Sequence, residues 1–177
     1  MPRALALALA ASLALSLSAG GAALAAAPEP TKAAPAAFYS GRWYEIARLP
    51  NNNQRDCQGA TSQFTGGAPG AFDVVQTCHR GSPTGPTKVF KTKGKVDNPE
   101  RNKFTMTFFG LVKQQYFVLD TSEADGGWAI MATPGGNFVW LLARRPQLSE
   151  TGKAQAVARL KALGYPVERL EYPAQAD

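Results

Sequence analysis

Lys103-Phe104-Thr105-Met106-Thr107-Phe108 alternates strictly, with Phe104, Met106 and Phe108 on one face of an extended strand and Lys103, Thr105 and Thr107 on the other. One face of such a strand is buried. Outward from it, short segments of the same kind cover Trp43 to Leu49, Gln58 to Phe64, Phe72 to Arg80, Thr87 to Val96, Lys103 to Phe109, Gln115 to Asp120, Trp128 to Ala132 and Phe138 to Ala143. Turn residues cut them apart at Gly66-Gly67-Ala68-Pro69-Gly70, Gly81 to Pro86, Asp97-Asn98-Pro99, Asp125-Gly126-Gly127 and Pro134-Gly135-Gly136. Links this short join antiparallel neighbours, and eight strands in such a series close on themselves and so leave no exposed edge. The expected fold is all-β, an eight-stranded antiparallel up-and-down β-barrel. After the strands, Ser149 can cap a helix to about Leu163, with Ala154, Val157 and Leu160 toward the outside of the barrel and Gly164 as its stop. Lys153, Arg159 and Lys161 face water, and Val167 to Tyr172 is expected to add a short strand.

The chain has 177 residues, 45% hydrophobic and 18% charged, which suits one globular domain. Residues 1–25 read as a signal peptide rather than a retained membrane anchor: Arg3, an apolar run from Ala4 to Leu17, and Ala23-Leu24-Ala25 before the cut. Residues 26–37 read as a disordered Ala/Pro-rich linker, and 38–177 as the barrel domain. No cysteine follows the apolar run directly, so the expectation is an exported, soluble protein, periplasmic or secreted and not lipid-anchored. Without residues 1–25 the net charge is +5, from 18 Lys and Arg against 13 Asp and Glu. Lys91, Lys93 and Lys95 share one solvated strand face, which argues against a nucleic-acid partner and admits a weak, salt-sensitive contact with an anionic membrane surface. No feature specifies an oligomeric state. One histidine and two cysteines are too few for most structural zinc or clustered-histidine sites, and neither a metal nor another cofactor is called for.

Cys57 and Cys78 flank the glycine-rich turn symmetrically, their midpoint at 67.5 against a turn centred on residue 68. In a hairpin folded there they come nearly opposite, so a disulfide is expected, and closing that loop is worth about 3 kcal/mol in the chain-entropy model. His79 points to the other face of its strand and so does not activate Cys78.

An eight-stranded barrel either fills its interior with side chains or holds one small ligand. The inward candidates are Phe90, Val96, Phe104, Met106, Phe108, Tyr116, Val118, Phe138, Trp140 and Leu142. Val96 and Leu142 read as core. The other eight form an aromatic wall with an adaptable methionine, a composition typical of apolar binding sites. No Ser–His–carboxylate set, in-strand carboxylate pair or phosphate loop is present, and no inward acid, base or nucleophile is apparent. Binding is therefore favoured over catalysis, with a lipid-modifying enzyme or isomerase, or a structural barrel without ligand, as alternatives.

Gly41-Arg42-Trp43-Tyr44-Glu45-Ile46-Ala47-Arg48 resembles the Gly-x-Trp motif that opens the first strand of lipocalins in their bacterial and apolipoprotein D-like form. Tyr116-Phe117-Val118-Leu119-Asp120 is similar to the family's second segment and Trp140-Leu141-Leu142-Ala143-Arg144-Arg145-Pro146 to its third, in the same order. Leu49 to Cys57 resembles the large loop across the open end of the calyx. The resemblance implies that Trp43, in the motif that Gly41 opens, closes the narrow end of the barrel with Arg144 over the indole. It also implies a small hydrophobic ligand such as a fatty acid, lysophospholipid or other lipid, bound for transport or storage.

Overall fold

The structure, a computed structural model, describes residues 26–67 and 69–176. The expected signal peptide, residues 1–25, lies outside the described residues. The strands are β1 Gly41–Arg48, β2 Cys57–Gly66, β3 Ala71–Arg80, β4 Thr87–Val96, β5 Lys103–Phe108, β6 Val112–Ser122, β7 Trp128–Ala132 and β8 Val139–Ala143. Each pairs antiparallel with the next, and β8 returns to β1 to close the barrel. The chain therefore runs alternately up and down. One end holds the start of β1 and is closed; the other, at the end of β1, is the mouth.

The barrel wall divides the apolar residues into two cores. Trp43, Phe64, Phe72, Phe104, Met106, Tyr116 and Leu142 meet inside. Ile46, Phe117, Ile130, Leu141 and Leu160 meet outside, beneath helix α1 (Glu150–Ala162). This explains why β7, Trp128-Ala129-Ile130-Met131-Ala132, is apolar at every position: both of its faces are covered. β4 has water on its outer side and alternates instead.

Three expectations are corrected. The helix begins at its Ser149 cap, whose hydroxyl accepts the Gly152 N–H, but its buried row is Gly152, Ala156 and Leu160. Ala154 is exposed and Val157 only half-buried. The cause is the helix N-terminus, where Gly152 presses on Asp125 so closely that a Cβ would come 2.4 Å from its Oδ2, while Asp125 accepts the Ser149 N–H. That contact sets the helix rotation.

Val167 to Tyr172 makes no strand. It forms a 3-10 turn, Val167–Arg169, followed by one bridge between Glu171 and Arg48. The reason lies in β1 and β2, which pair only from Gly41–Phe64 to Tyr44–Thr61 and then part. The tail enters this gap: Glu171 exchanges backbone bonds with Arg48, and the Ala174 carbonyl accepts the Gly59 N–H.

Nor does the segment Ala26 to Ala37 behave as a disordered linker. Its backbone bonds to Pro134 and Glu100 through Ala27 and Ala34, Ala34 is buried, and Glu29 and Lys32 pair with Lys103 and Asp120. Composition gave no sign of these partners because all of them lie far away in sequence.

Candidate functional site

The closed end is built from residues just before β1. A 3-10 turn, Ala36–Tyr39, inserts Phe38 and Tyr39 into the barrel floor. Phe38 lies 5.4 Å from Trp43 and 6.0 Å from Phe104, and Tyr39 lies 4.9 Å from Phe72, ring centre to ring centre. The Tyr39 hydroxyl donates to the Arg101 carbonyl, and burial pushes its pKa well above that of an ordinary phenol. Beneath the floor, Trp43 Nε1 donates to the Phe38 carbonyl at 2.9 Å. The Arg144 guanidinium covers the indole, its Cζ 3.6 Å from the ring centre. Its Nη1 donates to the carbonyls of Ser40 and Arg42 at 2.7 and 3.1 Å, and Nη2 to that of Ala37. Gly41 has φ +74°, and a Cβ there would come 3.4 Å from Arg144 Nη1. The left-handed backbone favours glycine.

Above the floor the interior changes. Phe104 stacks on Tyr116 at 5.3 Å but is wholly buried among floor rings, and Val118 is equally enclosed. The Phe72 ring fills the space over Gly94, where a Cβ would come within 2.1 Å of it. Met106 is buried, while Phe108 and Trp140, nearer the mouth, are only partly so. Phe90 is half-buried at the rim under Lys88, whose Nζ is 4.7 Å from its ring centre. Phe138 stacks on Trp140 at the same rim, just before β8 begins. The eight expected lining residues thus fall into two groups: Phe104 and Val118 in the packed lower half, and Met106, Phe108, Tyr116, Trp140, Phe90 and Phe138 from mid-barrel to the rim. Between the groups, the hydroxyl of Thr92 is buried without a hydrogen-bond partner.

The mouth also holds two buried charges, Glu45 and Arg48. β1 carries a bulge between Glu45 and Ala47, with Glu45 opposite Leu142, Ala47 opposite Leu141 and Arg48 opposite Trp140. Leu142 belongs to the inner core and Leu141 to the outer. Glu45 and Arg48 therefore both face inward, correcting the expectation that no inward acid or base is present. Glu45 is legible as two residues on from Trp43. Arg48 is not, because unbroken alternation sends it outward and only the extra bulge residue turns it in.

Arg48 Nη1 donates to Glu45 Oε1 at 2.7 Å and to the Cys57 carbonyl at 3.2 Å. Its Nη2 donates to the Gln54 carbonyl and its Nε to Glu171 Oε2, each at 3.0 Å. Gln54 in turn donates to Glu45 Oε2 and accepts from Trp140 Nε1. Burial raises the Glu45 pKa despite the opposing pull of Arg48. The network ties the loop over the mouth to β1, β8 and the tail. The Cys57–Cys78 disulfide, with Cα atoms 5.5 Å apart, holds the far end of that loop to β3. Register places Cys57 opposite Arg80, so the bridge is diagonal rather than directly across. His79 Nδ1 lies 3.1 Å from the Gly85 carbonyl, within the turn beyond β3. Arg55 is exposed on the loop and donates to Asn52.

A second buried carboxylate, Asp120, lies outside the wall, where Lys32 and Arg159 pair with it. Burial alone would raise its pKa, but hydrogen bonds from Lys32, Arg159 and the Thr121 N–H hold it below the ordinary range.

Comparison with known proteins agrees with this geometry. The outer membrane lipoprotein Blc of Vibrio cholerae is 25% identical over 140 residues, covering 77% of this chain and 80% of its own. Temperature-induced lipocalin-1 of Arabidopsis thaliana is 27% identical over 146 residues, 78% of each chain. Among solved structures, insecticyanin of the tobacco hornworm Manduca sexta shares the fold with a TM-score of 0.68 at 17% identity, over 87% of this chain and 88% of its own. The family model described as a lipocalin-like domain matches residues 36–175, and the chain belongs to that family.

Proposed function

We propose that the protein binds a small hydrophobic ligand, a fatty acid, lysophospholipid or other lipid, in the mouth half of its barrel. The observation that carries this reading is the gradient of exposure along the inner wall: Phe104, Phe72 and Phe38 are sealed at the floor, while Phe108 and Trp140 keep apolar surface open toward the mouth. Met106, Phe108, Tyr116 and Trp140 are the proposed contacts, with Phe90 and Phe138 at the rim. Phe104 and Val118 support them from below. The unpaired Thr92 hydroxyl offers one hydrogen-bonding point. Binding rather than catalysis is proposed because the donors of Arg48 and both oxygens of Glu45 are engaged in holding the mouth loop.

An envelope location belongs to the same reading. It is supported by the character of residues 1–25, by a disulfide that suits an oxidising compartment, and by relatives named as outer membrane lipoproteins. Both cysteines of these 177 residues are bonded to each other, so the proposal is a soluble protein without an acylated cysteine.

The test is a titration with fatty acids of increasing length, read by intrinsic tryptophan fluorescence. Each added methylene is expected to tighten binding by about 0.8 kcal/mol until the cavity is full. Met106→Arg, which places an unpaired charge in the cavity, is expected to abolish binding. Affinity independent of chain length, or undiminished in a folded Met106→Arg variant, would overturn the proposal.

A further inference from the structure

The β5–β6 hairpin ends at the mouth in Phe109-Gly110-Leu111, followed by Val112. These apolar side chains are among the most exposed of the described residues: Phe109 is 83% accessible, Leu111 86% and Val112 59%. Val89, near the top of the neighbouring β4, is 50% accessible. The turn itself does not require them. Phe109 sits at φ +52°, a left-handed backbone in which glycine or asparagine is at ease and a bulky aromatic is strained. A strained, water-exposed phenylalanine on a loop tip points to a use for the side chain.

The surroundings say what kind of surface it would meet. Residues 87–96 and 103–119 contain no aspartate or glutamate. Lys93 on β4 lies opposite Thr107 on β5, and Thr107 opposite Lys113 on β6. Lys91, two residues above Lys93, shares its outer face, and Lys88 stands at the rim. Lys88, Lys91 and Lys113 make no ion pair among the described residues, and Lys93 makes one loose contact, 3.5 Å to a largely exposed Asp73. Asp97 and Glu100 lie at the opposite, closed end, in the turn between β4 and β5. An apolar point bordered by unpaired lysines fits a bilayer surface with anionic headgroups: the point enters the acyl region while the ammonium groups stay at headgroup level.

We infer that the Phe109–Val112 tip, with Lys88, Lys91 and Lys113 around it, is a membrane-docking element for anionic lipid surfaces, and that docking turns the barrel mouth toward the bilayer. The inference does not depend on which ligand the barrel holds.

The test is co-sedimentation with phosphatidylcholine vesicles, with and without phosphatidylglycerol, at low and high salt. It compares the exported protein with variants carrying the same N-terminus. Wild type is expected to bind the phosphatidylglycerol vesicles and to be released by salt. Phe109→Ser combined with Leu111→Ser is expected to bind at least about tenfold more weakly. Lys91→Gln combined with Lys113→Gln should lose about fivefold per charge on the anionic vesicles only. All four side chains are exposed, so far-UV circular dichroism and the melting midpoint should not change, and fatty-acid binding in solution should survive. Equal vesicle binding by the serine double variant would overturn the inference. So would a wild type that ignores vesicles but self-associates through a contact the double variant loses, which would make the tip a surface between copies.

Discussion

Two arginines close the two ends of the barrel in different ways. At the narrow end Arg144 rests on Trp43 and gives its hydrogen bonds to the carbonyls of residues 37, 40 and 42, all within seven positions of that tryptophan. At the mouth Arg48 is buried and bonds two carboxylates and two carbonyls, reaching Gln54, Cys57 and Glu171. The first needs only the turn before β1 and the end of β8. The second works only if a loop and the chain's tail have both arrived. A guanidinium satisfied by indole and carbonyls involves no titrating partner, whereas one satisfied by buried carboxylates depends on their charge.

Mutation tells the two ends apart. The largest loss is expected for Trp43→Ala, about 4 kcal/mol in chemical denaturation, because a buried indole that orders the whole floor is removed. An unchanged midpoint would mean that the floor aromatics hold the narrow end without it. Arg48→Ala should follow at about 3 kcal/mol, since it leaves Glu45 buried without its cation. Limited proteolysis should then cut first in the loop from Asn51 to Asp56, which Arg48 ties down through Gln54 and Cys57. Arg144→Ala is expected to cost less, about 1–2 kcal/mol, because carbonyls near the surface can turn to water. If the order of the two arginine variants were reversed, the mouth network would be weaker than its geometry implies.

The smallest effect sharpens the contrast through pH, using one carboxylate on each side of the wall. Glu45 has a raised pKa in the folded protein, so its contribution is complete below its unfolded pKa of about 4.3 and declines as pH rises through the folded value. The penalty of Glu45→Gln should therefore shrink from acid toward neutral pH. Asp120 has a lowered pKa, so its contribution is present above about 3.9 and is lost as pH falls through the folded value. Asp120→Asn should cost about 1 kcal/mol at neutral pH and almost nothing in strong acid. Stability curves of the two variants that ran parallel with pH would show that inner and outer carboxylates do not differ in this way.

Much of the framework was legible because its causes are local. A period of two marks each strand, glycine and proline mark the turns, and the spacing of Cys57 and Cys78 about one hairpin marks their bond. The Gly41-x-Trp43 segment carried the closed end by resemblance. The candidate site was less legible. Phe38, Tyr39, Phe64 and Phe72, which fill the floor, were absent from the expected interior, although Phe72 and Val74 alternate inward along β3 as plainly as Phe104 and Met106 do along β5. With the floor filled, Phe104 and Val118 lie buried in the packed lower half of the interior.

By itself the sequence determined the barrel's β-strands, their order and direction, and the pairing of its cysteines, since each follows from neighbours a few residues apart or from a single turn. Only the tertiary structure decided that Arg48 points inward, that α1 rests on Gly152, Ala156 and Leu160, that residues 26–37 are bound to the barrel, and that the tail fills the gap between β1 and β2. Each of these depends on a partner distant in sequence. A bulge, a helix rotation or a docked segment is chosen by the hydrogen bonds and contacts that become available once the barrel has closed, and no local pattern encodes them.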